Sequence, residues 1–378
     1  MVLIWGTSAL HAQDPFFNQF STNESVFNPS LVGYKGSLSF QSAFKSQWGG
    51  SGVQDFRSGR ISIEESVPCS IFDYGFNFGF NEEGEGLLRR VDIGFRFAGV
   101  VPFDWGPSRH NLRIGGGLQW SVNRVDYTRL TFSDQLDPKY GLYDRLGIAN
   151  PTGFVPPNEG RSNWFFTPSM GISHRILIDH SNPGSSTILY GIAIHNAFSI
   201  GSGSFTGNEE SILGIGTKIP TRYSAFATWE FIPYFQRKTF ISIRPLMVIE
   251  FQEQLSYLNT GLRISLNRLV AVGAYYHSNK APEMGVNTRW LTFNVELGIP
   301  TSNKQRIELG FAYTNNLSGV RNYLGGMLEF SLIIHLASSP VCKLAGREDW
   351  IPYGDHMRCP TSAFTNSRRK MYENIWYK

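Results

Sequence analysis

The chain of 378 residues is 14% aromatic and only 17% charged, and 58 positions are Gly or Pro, whereas about a quarter of an ordinary soluble domain is charged. The formal net charge of +4 does not mark a nucleic-acid binder. Residues 337–378 hold seven Lys/Arg against four Asp/Glu and residues 1–336 hold 27 against 26, so no basic face is left to follow phosphates. Cys69, Cys342 and Cys359 are too few for a disulfide framework, and no CxxC pair suggests a metal site.

Residues 1–12, MVLIWGTSALHA, read as a signal peptide remnant. An apolar stretch from Val2 to Trp5 is followed by small residues, with a cut expected between Ala12 and Gln13. No Lys or Arg precedes the apolar run, which fits a start codon placed inside a longer signal as well as an intact one. Both versions imply export. Residues 13–35 show no strand alternation and are expected to form a periplasmic N-terminal segment.

From residue 36 the pattern changes to period 2. Residues 72–81, FDYGFNFGFN, set Phe72, Tyr74, Phe76, Phe78 and Phe80 on one face, with Asp73, Gly75, Asn77, Gly79 and Asn81 on the other. A strand alternates its side chains in this way, so one ribbon has an oily face and a polar face. Similar stretches are expected near 36–46, 55–64, 88–100, 109–122, 163–177, 187–198, 221–232, 239–250, 255–266 and 268–277, then at 289–299, 306–313 and 323–336. They total 14, and no long helical period interrupts them.

A single such ribbon suits half of a soluble sandwich equally well. Three features together favour a membrane barrel. The strands are longer than the five or six residues usual in soluble sheets and are right for crossing a bilayer at a tilt. Their polar faces carry Asp92, Arg96, Arg113, Glu230, Arg244, Glu250, Arg263, Glu296, Glu308 and Glu329, which a barrel would turn toward its lumen. Finally, the long connections, 123–162, 199–220 and 278–288, all follow odd-numbered strands. The expected fold is therefore all-β: a transmembrane outer-membrane β-barrel of about 14 antiparallel strands over 36–336, with both termini periplasmic and its oily face against outer-membrane lipids.

Catalytic signatures are missing: no HExxH, GxSxG or P-loop occurs. His174, His180 and His195 read as solvated or satisfied rather than as ligands. Asp126, Asp134, Asp137 and Asp144 share the 123–162 loop with Tyr127, Tyr140 and Tyr143, at a spacing that matches no calcium loop. The chain is read as a non-enzyme without cofactor or metal.

The segment QDPFFNQFSTNESVFNPSLVGYKGSLSFQSAFKSQW resembles the start of the PorP/SprF family of outer-membrane proteins. The matching positions are Gln13-Asp14-Pro15, the turn of Asn28, Pro29 and Gly33, and the Lys45, Gln47 and Trp48 ending of the first strand. The closing GVRNYLGGMLEFSLIIHL is also similar, so the resemblance covers about residues 13–336. It implies a component of type IX secretion and gliding that helps export cargo, or holds it at the surface, large adhesins among that cargo. Asn28 and Pro29 read first as a turn device, and with Gly33, Gln47 and Trp48 as partner contacts second. The alternative function is a porin or uptake channel. Fourteen strands enclose less room than the 16–18 of open porins, and a lumen of mixed charge suggests a narrow or plugged pore.

Residues 337–378 depart from the family pattern. They carry Trp350, Tyr353, Trp376 and the basic run Arg368-Arg369-Lys370, residue types that anchor interfaces. In the oxidising periplasm Cys342 and Cys359 could pair, a link worth about 3 kcal/mol by chain entropy. The tail is expected either to dock a periplasmic or lipoprotein partner of the secretion machinery or to remain a disordered extension touching headgroups.

Overall fold

The structure, a computed structural model, describes residues 17–36, 38–48, 55–67, 71–84, 86–178, 186–197, 212, 219–236, 239–281, 286–301, 306–318 and 325–336. The signal remnant, the 337–378 tail, all three cysteines and His180 lie outside the described residues.

Fourteen strands form the wall. They are β1 (Leu38–Gln47), β2 (Phe56–Ser66), β3 (Phe72–Glu83), β4 (Leu88–Trp105) and β5 (Ser108–Arg124), then β6 (Phe165–Leu177), β7 (Thr187–His195), β8 (Arg222–Gln236) and β9 (Thr239–Gln252). The last five are β10 (Leu255–Leu266), β11 (Val270–Ala281), β12 (Val286–Pro300), β13 (Arg306–Asn316) and β14 (Met327–Leu336). Each pairs antiparallel with its neighbours in sequence, and β14 closes the barrel on β1, with Lys45 opposite Glu329. Closure leaves no sheet edge along the seam, as lipid requires.

Alternation decides the two faces. On β3, Phe76 is 54% exposed on the outer wall while Asn77 beside it is 4% exposed on the inner one. Outward rings meet across strands, Phe76 on Phe95 at 5.0 Å and Phe311 on Phe330 at 5.1 Å between centroids, which adds to pairing strength. Around Pro233 the register between β8 and β9 shifts, between Phe231 and Tyr234. The missing proline N–H makes a regular ladder impossible there.

Two strand ends differ from the sequence reading. β4 and β5 continue past 100 and start before 109 to a two-residue turn at 106–107, through Pro102. Pro102 lies beyond the β3 ladder, whose first residue, Phe72, pairs with Gly99, so no β3 ladder bond is lost at the proline. The 278–288 connection shortens to 282–285 because β11 and β12 both extend into it. The end of the barrel where β1 begins and β14 finishes is the terminal end. The other, with the 125–164 and 196–221 connections, is the loop end.

Candidate functional site

The segment preceding β1 fills the lumen. Residues 17–35 are corrected here from a periplasmic placement: the barrel encloses them, and Phe17, Gln19, Glu24, Phe27, Asn28 and Val32 are among the buried ones. A chain without strand period can still lie inside a barrel if the inner wall satisfies its backbone, and this wall does.

The fold of the plug is local and stepwise. One helical turn, Glu24–Phe27, ends at Asn28, whose side-chain oxygen accepts the Ser30 amide at 3.0 Å and starts a second turn, Pro29–Leu31. Asn28 is an N-cap and Pro29 sits at the first helical position, where its absent N–H costs nothing. The Asn28 amide also donates to the Ile192 carbonyl (3.1 Å) and the Ile172 carbonyl (3.3 Å) of the wall. Gly33 follows at φ +68, and its N–H donates to Glu64 at 3.1 Å. A Cβ there would lie 2.9 Å from the Asp73 Cβ, so conformation and space both call for glycine.

Three wall clusters hold this segment. At the terminal end Arg113, 1% exposed, donates to the Ser30 carbonyl (2.7 Å), the Val32 carbonyl (2.5 Å) and the Asp73 carboxylate (2.7 Å). Across the lumen, Glu329 accepts the backbone amides of Asn18 (2.8 Å) and Gln19 (2.9 Å), and Asn18 donates its side-chain N–H to Thr314 at 2.7 Å. Thr314 and Thr292 are hydrogen-bonded at 2.7 Å, and Thr292 reaches His277 at 2.9 Å, which meets the Tyr257 hydroxyl at 2.6 Å. Toward the loop end the Phe27 carbonyl lies 2.9 Å from His195 Nε2 and accepts from Ser224 at 3.2 Å. Buried charge is tolerable when its lone pairs and protons are used in this way.

Apolar packing completes the closure. Phe27, Leu31 and Tyr34 of the plug join Leu189, Phe226, Leu246, Val248 and Tyr275 of the wall in one buried cluster, with Phe20 against it. The Phe20, Phe27 and Phe226 rings meet at 5.3–5.9 Å. The wall makes room with Gly115, where a Cβ would come within 2.5 Å of the Ser30 backbone. The barrel thus holds a buried apolar cluster inside its lumen, shared by plug and wall.

Of the residues singled out in the sequence, Asp92, Arg96, Arg113, Glu230 and Glu329 are buried in the lumen, and Arg244, Arg263, Glu296 and Glu308 are half-buried there. Most are tied in pairs: Arg90–Asp92 at 2.9 Å, Arg263–Glu296 at 2.5 Å and Arg306–Glu308 at 2.8 Å. Glu230 is shared by Arg244 (2.9 Å) and Arg268 (2.8 Å). Asn28, Pro29 and Gly33 form the plug. Gln47 ends β1 opposite Phe56 and Met327, and the Trp48 ring meets Phe56 at 4.6 Å in a tilted contact, away from that group. The partner residues assigned to the tail, Trp350, Tyr353, Arg368, Arg369, Lys370 and Trp376, and the Cys342–Cys359 pair lie outside the described residues.

The loop aspartates serve their own turns. Asp137 accepts the Lys139 and Tyr140 amides at 2.7 and 2.8 Å, Asp144 those of Leu146 and Ile148 at 2.7 and 2.9 Å, and Asp134 that of Gly153 at 2.7 Å. Among the described residues no His, Cys, Asp or Glu group has the size of a metal site.

Sequence reasoning missed the plug because its polar and apolar residues follow short turns rather than a repeat. A usable signal was present: Gly115-Gly116-Gly117 in β5 puts two glycines on the inner face of a strand, where a close backbone needs them.

No curated protein matches the chain. Among solved structures it is similar to the outer-membrane protein Omp33 of Acinetobacter baumannii, at 8% identity and TM-score 0.37 over 80% of this chain and 100% of that one. The P. putida toluene transporter TodX gives 10% identity and TM-score 0.37 over 84% and 95%. A Pseudomonas aeruginosa FadL homologue gives 9% and 0.35 over 82% and 93%. Residues 9–334 match the family described as "Type IX secretion system membrane protein PorP/SprF". This plugged barrel belongs to the PorP/SprF family and is an outer-membrane component of type IX secretion.

Proposed function

We propose that the barrel is a non-enzymatic scaffold that helps export secreted cargo, or holds it at the cell surface, and does not work as a diffusion pore. Large adhesins are the cargo class proposed. The observation that supports this reading is the filled lumen: an apolar cluster shared by plug and wall, flanked by the Arg113 and Glu329 anchors. A solute channel would waste its bore on such a core. We place the terminal end in the periplasm and the long connections outside, in keeping with loop lengths in outer-membrane barrels. Residues 337–378 would then hang on the periplasmic side and dock a periplasmic or lipoprotein partner through their aromatic and basic residues.

Deleting the gene is expected to remove one specific surface protein while general type IX secretion continues, read by surface proteomics. Planar-bilayer recordings of the purified barrel are expected to show no steady conductance. An unchanged surface proteome together with reduced small-solute uptake would favour the porin.

A further inference from the structure

Toward the loop end, between Val26 of the plug and the ends of β7 and β8, lies a cavity walled by four arginines, Arg60, Arg90, Arg96 and Arg222, and one carboxylate, Asp92. Asp92 already serves Arg90 at 2.9 Å and also accepts the Ser121 hydroxyl. Arg222 has Glu250 at 3.9 Å, and the Arg60 guanidinium stands 5.5 Å from the centroid of the Phe17 ring.

Arg96 differs from these. It is 6% exposed, and its guanidinium donates to the side-chain oxygen of Asn77, a neutral amide. Among the described residues it forms no ion pair. A guanidinium does not shed its proton in a protein, and a buried charge without a counter-charge is costly. Next to it the cavity wall offers Ser169 and Asn196, neutral groups with a proton to donate to an anion. Arginine forks match the two-oxygen edge of carboxylate and phosphate.

We propose that this cavity is an oxyanion-binding site, which takes a carboxylate or phosphate group between Arg96 and its neighbouring arginines on the loop side of the plug. The ligand adds negative charge beside a wall whose one carboxylate, Asp92, is already bonded to Arg90. It is held by charge and hydrogen bonds, with no covalent step.

The test is calorimetric titration of the full-length barrel in detergent with inorganic phosphate and, separately, with a tetraglutamate peptide. One saturable site is expected. Tighter binding of the peptide assigns a protein carboxylate as the natural group, and tighter binding of phosphate assigns a phosphate. Arg96→Gln is expected to weaken the preferred ligand by about tenfold or more. Asn77→Asp, which sets a fixed carboxylate against Arg96, is expected to do the same by occupying the charge. It also guards against loss of fold in the first variant, and heat-modifiable gel migration checks both. Arg145→Gln, on the exposed 125–164 connection, is expected to bind like the parent. Binding of neither ligand, or binding that is equal in the parent, Arg96→Gln and Asn77→Asp, overturns the proposal.

Discussion

Residues 17–36 and 125–164 both lack regular strand, yet they satisfy their backbones in opposite ways. The plug draws partners from far along the chain: Asn18 to Glu329 spans 311 positions and Ser30 to Arg113 spans 83. The loop bonds mostly within itself: the Asp137 and Asp144 carboxylates reach at most four residues and Asp134 reaches Gly153 at 19, while the Asp126 amide ties the loop to the Gly86 carbonyl at 2.9 Å. One segment is packed and depends on the wall. The other is mostly exposed and carries its own frame of turns. Lack of strand therefore says nothing about whether a segment is structural core or surface.

The largest effect should come from cutting the strongest long-range tie. Arg113→Ala removes three bonds and leaves Asp73 buried without its cation, so it is expected to destabilise the folded barrel by about 3–5 kcal/mol. Urea unfolding in detergent reads the loss, and protease cleavage within 17–36 shows whether the plug is released. A barrel of unchanged stability with a protected plug would break the contrast.

Gly115→Val tests space instead of charge. Its side chain must enter the Ser30 backbone, and overpacking of this kind costs about 1–3 kcal/mol. The companion Gly99→Val lies on the outer face, where the nearest atom to an added Cβ is the Ile114 carbonyl at 3.9 Å. It is expected to migrate and unfold like the parent, whereas Gly115→Val should expose the plug to protease.

The smallest effect belongs to the loop. The Gly153 amide, and after it the Thr152 hydroxyl, hold the Asp134 carboxyl below the usual carboxylate range. A depressed value means the carboxylate form is the one stabilised. Its contribution is complete above the unfolded value near pH 3.9 and is lost as pH falls through the lower folded one. Amide exchange at Gly153 should therefore rise, relative to its intrinsic rate, only below about pH 4. Asp134→Asn should already show the faster exchange at neutral pH, with no change at Ser30.

How much of this was legible beforehand follows from what each region repeats. The strands were visible because two unlike solvents, lipid and a crowded lumen, force a strict alternation such as FDYGFNFGFN. Strand ends were less legible: Pro102 reads as a stop, and only the register shows that it falls beyond the β3 ladder. The plug was hidden for a different reason. Asn28, Pro29 and Gly33 look like any turn, and what makes them core is a set of partners on β2, β5, β6 and β7 that no local pattern encodes. Charged positions on the inner face could be picked from parity, but not their pairing, since Glu230 meets Arg268 from a turn between β10 and β11.

The Glu329 anchor also bears on assembly. Asn18 and Gln19 precede the first strand, and Glu329 belongs to the last, opposite Lys45 across the seam where β14 meets β1. Contacts of such sequence separation form late, because closing so long a loop costs entropy before the contact rewards it. The same carboxylate thus reads two events at once, arrival of the final strand and presence of the earliest segment. Seam and plug are thereby linked, and a barrel that closes around an empty bore leaves the buried Glu329 carboxylate without the two amides it accepts.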